Sequence, residues 1–133
     1  MTTYSPRRIL TICSLAIATA ALPLASADAA ATPKSTLKLT ITSAAAQDAR
    51  SATLTCGPAG GTHPRAKEAC AALTAAKGQF DELEGDVSTC TTEYDSITAT
   101  ATGTWNGVRV EWENTFANEC ELHGATAPVF FFD

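Results

Sequence analysis

Four cysteines, Cys56, Cys70, Cys90 and Cys120, constrain this chain most, because they follow a segment that reads as an export signal. Arg7 and Arg8 precede an uncharged, mostly apolar run from Ile9 to Leu24, and Ala25-Ser26-Ala27 has the small-x-small pattern of a cleavage site. We expect residues 1–27 to be removed, with cleavage after Ala29 as the alternative register. The apolar run is short and interrupted by Pro23, which favours cleavage over a membrane anchor. Cys13 belongs to the discarded segment, so the exported chain keeps an even number of cysteines. In an oxidising compartment that count reads as two disulfides, and counting alone leaves three pairings open.

The remainder, from residue 28, suits one domain with a modest core. Residues 28–35, small and interrupted by Pro33, read as a loose arm, and 36–133 as the folded unit. Without Arg7 and Arg8, Lys and Arg fall from 9 to 7 against 14 Asp and Glu, a formal charge of −7. No basic cluster exists to meet a phosphate backbone, so nucleic acid is not an expected partner. The chain has no CxxC pair for redox work, and His63 and His123 are not at ligand spacing from paired cysteines. Neither metal nor cofactor is expected.

The pattern along the chain is α+β. Thr36–Thr42 alternates apolar and polar residues as a half-buried strand does, and Ser51–Cys56 repeats this after a connector at Ala44–Ala49. Gly57-Pro58-Ala59-Gly60-Gly61 is a break. A helix is expected over Pro64–Lys77, capped by Thr62 and stopped by Gly78. Ala66, Cys70, Leu73 and Ala76 share its inner stripe, and Phe80 and Leu83 anchor an acidic loop over 81–86. Ile97–Thr102 is a strand candidate. Asn106-Gly107 is a strong type I′ hairpin signal, returning into a strand with Val108, Val110, Trp112, Asn114 and Phe116 on one face. Val129–Phe132 reads as a last, apolar strand.

Catalysis finds little support. A nucleophile needs a base within reach, usually held by a third group. His63 sits where a helix begins, His123 lies in an expected turn beside Gly124, and neither adjoins a nucleophile motif. Glu111 and Glu113 read as one solvated strand face. The chain is therefore not expected to be an enzyme. The segment Thr91-Thr92-Glu93-Tyr94-Asp95-Ser96 after Cys90 lacks a burial pattern and should be exposed. Its β-branched threonines favour extended backbone, which a protease cleft accepts as an added strand. On these residues alone it is either such a peptide or an ordinary solvated loop beside a disulfide.

A longer run of motifs separates the two. Cys56-Gly57-Pro58 leads through Gly61-Thr62-His63-Pro64 to Cys70. Then follow Cys90-x-x-x-Tyr94-Asp95, Gly103-x-Trp105-x-Gly107-x-Arg109-Val110, Phe116-x-Asn118-Glu119-Cys120-Glu121 and Val129-Phe130. In this order, over about residues 37–132, the chain resembles the Streptomyces subtilisin inhibitor family. The resemblance implies a five-stranded antiparallel sheet with two helices on one face. It implies the pairs Cys56–Cys70 and Cys90–Cys120, closing loops of about 15 and about 31 residues, worth roughly 3 and 3.5–4 kcal/mol on the chain-entropy model. It further implies a secreted homodimer associating through its sheets, which inhibits an extracellular serine protease, subtilisin-like above all, by offering it a substrate-like bond.

On that pattern the reactive bond is Thr92–Glu93, in a loop of Cys90, Thr91, Tyr94 and Asp95 supported by Asn118 and Cys120. The departures fall in the loop. Thr91 and Ser96 stand where the family commonly has prolines, each worth roughly 0.4–1 kcal/mol of preorganisation. Thr92 takes the specificity position usually held by Met, Lys or Arg, burying less by about 1–2 kcal/mol. Glu93 replaces a small or apolar residue and carries a charge that is costly to desolvate. The Cys56–Cys70 segment is also one residue shorter than usual. Weakened subtilisin binding is the expectation, and trypsin is not an expected target because Thr92 has no cation for an acidic pocket floor. The alternative is a non-inhibitory secreted partner or substrate of another extracellular enzyme, such as a transglutaminase, on the same scaffold.

Overall fold

The computed structural model of the chain describes residues 32–86 and 89–132. The expected signal over 1–27, its cleavage site and the first residues of the arm lie outside the described residues.

Alternation in the sequence becomes a sheet with one buried face. Strand β1 (Ser35–Ser43) places Leu37, Leu39 and Ile41 inward, essentially without exposure, and sends Thr36, Lys38 and Thr42 outward. Burial of each such side chain contributes about 1.5–3 kcal/mol. β1 pairs antiparallel with β2 (Asp48–Cys56) and with β4 (Ile97–Trp105), so Leu39 lies between Ala52 and Ala101. Strand β5 (Val108–Phe116) closes a hairpin with β4 through Asn106 and Gly107, whose φ of 47° and 81° suit the type I′ turn. The connector at 44–49 is shorter than its composition suggests, because Asp48 and Ala49 already pair with Ser43 and Thr42. Val108, though it begins the inward-facing set of β5, lies beyond the core and is 69% exposed.

The sheet has five strands in the order β3-β2-β1-β4-β5, but the fifth strand is not Val129–Phe132. It is β3 (Gly60–Gly61), two residues inside the expected break that pair with Leu54 and Thr55. Only glycine fits at Gly61: its φ is +90°, and a Cβ there would stand 2.2 Å from the Thr53 carbonyl oxygen. This pairing also changes the role of Thr62. Its hydroxyl accepts a bond from the Thr53 N–H at 2.8 Å instead of capping a helix. Helix α1 (Ala66–Ala75) accordingly starts later than expected, at an Arg65 N-cap without a side-chain bond. Ala69 and Leu73 are its fully buried residues, whereas Cys70 is half-buried and bonded to Cys56.

A short 3₁₀ turn (Phe80–Glu82) precedes β4, and after β5 the chain enters helix α2 (Glu119–Thr126), which holds the His123 and Gly124 assigned above to a turn. Val129–Phe132 then crosses the core as irregular chain. Val129 and Phe130 are consecutive and both buried, so no two-residue alternation places them on a sheet. Phe130 joins Phe80 and Trp112 in an aromatic cluster with ring centroids 5.2–6.1 Å apart. α1, α2 and this tail pack with the inward side chains of the sheet into one core, giving the α+β class. Among the described residues no helix is long and apolar enough to cross a membrane.

Candidate functional site

The segment between Cys90 and β4 is the most exposed chain described near a disulfide. Thr91, Thr92, Glu93, Tyr94 and Asp95 are all exposed, Tyr94 by 81%. Both ends are tied. The Cys90–Cys120 disulfide joins the start of the loop to the first turn of α2, with Cα atoms 5.7 Å apart. At the other end the Asp95 N–H donates to the Ala117 carbonyl at 2.9 Å, and the Ser96 carbonyl accepts from the Ala44 N–H at 3.1 Å. The Ser43 hydroxyl donates a long bond, 3.5 Å, to the Asp95 carboxylate. A shallow groove of about 380 Å³ is lined by Thr91, Glu93 and Tyr94 of the loop and by Asn118, Glu119 and Cys120.

Asn118 fixes the middle of the loop. It is only 8% exposed, and its side chain uses both ends. Its Oδ1 accepts from the Glu121 N–H at 2.9 Å, the bond of an N-cap, and Glu121 in turn accepts from the Ala117 N–H at 3.4 Å. With Oδ1 anchored to the helix, Nδ2 points at the loop, donating to the Thr91 carbonyl at 3.2 Å and the Glu93 carbonyl at 2.8 Å. One amide nitrogen thus draws the carbonyls of two residues, Thr91 and Glu93, to the same side, on either side of Thr92. The intervening Thr92 is exposed. The structure thus brings Cys90, Thr91, Thr92, Glu93, Tyr94, Asp95, Asn118 and Cys120 into one site.

Two supports escape sequence reasoning. Arg50 on β2 pairs with Glu119 at the start of α2, 2.7 Å apart, tying that helix end to the sheet. Ser43 and Ala44 hold the return of the loop, 52 residues in sequence from Asp95. No short-range pattern marks either. The Asn118-x-x-Glu121 spacing was a readable helix-start signal for the capping pair.

The histidines are elsewhere. His63 is 5% exposed, its Nδ1 accepts from the Arg65 N–H at 3.0 Å, and its Nε2 lies 2.9 Å from the Val129 carbonyl. An acceptor at one nitrogen and a donor at the other define the neutral ring. Burial pushes its pKa below the ordinary value, only partly offset by the Val129 bond. His63 therefore locks the C-terminal tail to the entry of α1, with both ring nitrogens engaged by backbone groups. His123 lies on α2 with Nε2 3.8 Å from Glu119 and its ring against Phe131. A larger cleft, about 640 Å³, lies between the end of α1 and the β4–β5 hairpin, away from the loop, and holds neither histidine nor cysteine. Among the described residues no group of three His, Cys, Asp or Glu side chains is placed to hold a metal ion.

Residues 33–118 match the family model described as subtilisin inhibitor-like. The chain is 47% identical over 104 residues to "Subtilisin inhibitor-like protein 2" of Streptomyces rochei, covering 74% of this chain and 92% of that one. It is 49% identical over 86 residues to Plasminostreptin of Streptomyces antifibrinolyticus, covering 62% and 78%. Among solved structures, Streptomyces caespitosus sermetstatin, crystallised in complex with Bacillus licheniformis subtilisin, matches with a TM-score of 0.60 at 33% identity. That match covers 74% of this chain and 98% of sermetstatin.

Proposed function

The chain belongs to the subtilisin inhibitor-like family, and on that premise we propose that it is a secreted inhibitor of extracellular serine proteases whose reactive bond is Thr92–Glu93. The family's proteins matched here are described as inhibitors, not enzymes. The observation that carries the placement of the bond is the pair of Asn118 Nδ2 bonds to the Thr91 and Glu93 carbonyls, one on each side of Thr92.

The chemistry follows from that geometry. A protease serine adds to the Thr92 carbonyl carbon, and the enzyme's oxyanion donors take its oxygen. Cleavage would free the Glu93 amine as leaving group. In an ordinary peptide that amine diffuses away. Here Asn118 holds the Glu93 carbonyl, Ala117 holds Asp95, and Cys90–Cys120 holds the acyl side to the same helix end. The amine remains beside the acyl-enzyme, resynthesis competes with hydrolysis, and the complex persists. Preorganisation also lowers the ordering cost of binding.

Thr92 suits a subtilisin-like or other small-pocket protease and not trypsin. Export through the leader and pairing of two copies across the outward sheet face complete the proposal; that face is threonine-rich, with Thr36, Thr42, Thr102 and Thr104 exposed on it. Sedimentation of the mature protein tests the pairing. No observation among the described residues or the relatives favours the transglutaminase-partner alternative. An inhibition panel of subtilisin, elastase, chymotrypsin and trypsin tests the function. Inhibition of subtilisin or elastase at micromolar inhibitor, with trypsin unaffected, is expected; no inhibition of any of them overturns it.

A further inference from the structure

Resting on the reactive bond at Thr92–Glu93, we infer that the protease matched to this loop carries a lysine or arginine in the pocket that receives the residue after the scissile bond. Thr92 offers neither the length nor the charge to dominate recognition. The residue that follows it is the one with a strong and unusual demand.

Glu93 is exposed, and its backbone is fixed by the 2.8 Å bond from Asn118, so the carboxylate is carried on a rigid platform. Its charge is also uncompensated. Among the described residues Glu119 pairs with Arg50, Glu68 with Arg65 and Glu111 with Arg109, and Asp95 accepts from Ser43, but no ion pair holds Glu93. Closing a cleft over an unpaired carboxylate strips its water without replacement, which weakens association by orders of magnitude. A cation in that pocket turns the same group into a desolvated charge pair, which slows dissociation. Asp95 in the loop and Glu121 behind it add negative charge, and Arg50 on β2 is engaged with Glu119. The field at the loop therefore steers a cationic cleft toward it.

A double-mutant cycle tests this. Inhibition constants are measured for the mature chain and for Glu93→Gln against a subtilisin and against the same subtilisin with a lysine introduced into that pocket. The four measurements are repeated in a Thr92→Met background, where binding is strong enough to read. In either background the expected result is inhibition of the lysine-bearing enzyme about tenfold or more tighter than of its parent, with Glu93→Gln abolishing the difference. Equal effects of Glu93→Gln on both enzymes, with the chain still cut at Thr92–Glu93, overturn the charge match and leave the reactive bond standing. No inhibition by any of these chains and no cut at Thr92–Glu93 overturn the reactive bond and the charge match together.

Discussion

Replacing Asn118 by aspartate separates two jobs that one side chain performs. The carboxylate keeps the oxygen that accepts the Glu121 N–H, and a negative charge at a helix N-cap is favourable. It loses the amide that donates to Thr91 and Glu93 and sets an acceptor against two carbonyls. Two lost hydrogen bonds at about 0.5–1.5 kcal/mol each give about 1–3 kcal/mol of lost loop support. If that ordering cost moves into complex formation, inhibition weakens roughly fivefold to a hundredfold. Asn118→Ala loses the same donors and the cap as well, costing about 1 kcal/mol more in global stability. Protease titration, thermal melts and mass spectrometry of the loop read the three quantities. Asn118→Asp should melt near the wild type, inhibit more weakly and be hydrolysed faster. Asn118→Ala should also melt about 4–8 °C lower. An aspartate variant that inhibits and resists cleavage like the wild type would refute the idea that this amide braces the reactive bond.

Three further perturbations probe the frame. Cys90→Ser with Cys120→Ser opens a link between residues 30 apart and should cost about 3.5–4 kcal/mol in denaturant melts, with faster loop hydrolysis. Gly103 has φ +139°, and a Cβ there would lie 2.1 Å from the Thr36 carbonyl oxygen, so Gly103→Ala should destabilise the fold by roughly 2–4 kcal/mol while leaving the loop sequence untouched. His63 is held neutral by burial, so its folded-state pKa lies below that of the unfolded chain. As pH falls through about 6.5 the unfolded chain binds a proton first, so the stability His63 contributes is full above that pH and declines until the folded-state pKa is reached. The difference in melting temperature between about pH 8 and pH 5.5 should therefore shrink in His63→Gln, and an unchanged difference would contradict the neutral assignment.

What could be read in the sequence was what local chemistry decides. Alternation placed Leu37, Leu39 and Ile41 on one face, and the positive φ demanded by a two-residue hairpin singled out Asn106 and Gly107. What could not be read depends on partners distant in sequence. Gly60 and Gly61 have no side chains to show a pattern, and they become a strand because β2 accepts them. Val129–Phe132 has a strand-like composition, but the Val129 carbonyl bonds to His63, 66 residues away, and Phe130 and Phe132 fill the core. Helix α2 is short and contains Gly124, which hid it, although Asn118-x-x-Glu121 was available as its start. For the loop, exposure was legible from composition; its bracing by Asn118 was implied by family resemblance, and the two carbonyls it holds emerge only in three dimensions.

The most direct measurement is the site of slow cleavage by a stoichiometric amount of subtilisin, read by intact mass before and after reduction. A single cut at Thr92–Glu93 is predicted. The two fragments would stay joined through Cys90–Cys120 and separate only on reduction. Cleavage elsewhere, or rapid degradation at several bonds with none favoured at Thr92–Glu93, would contradict the assignment of this loop as the inhibitory site.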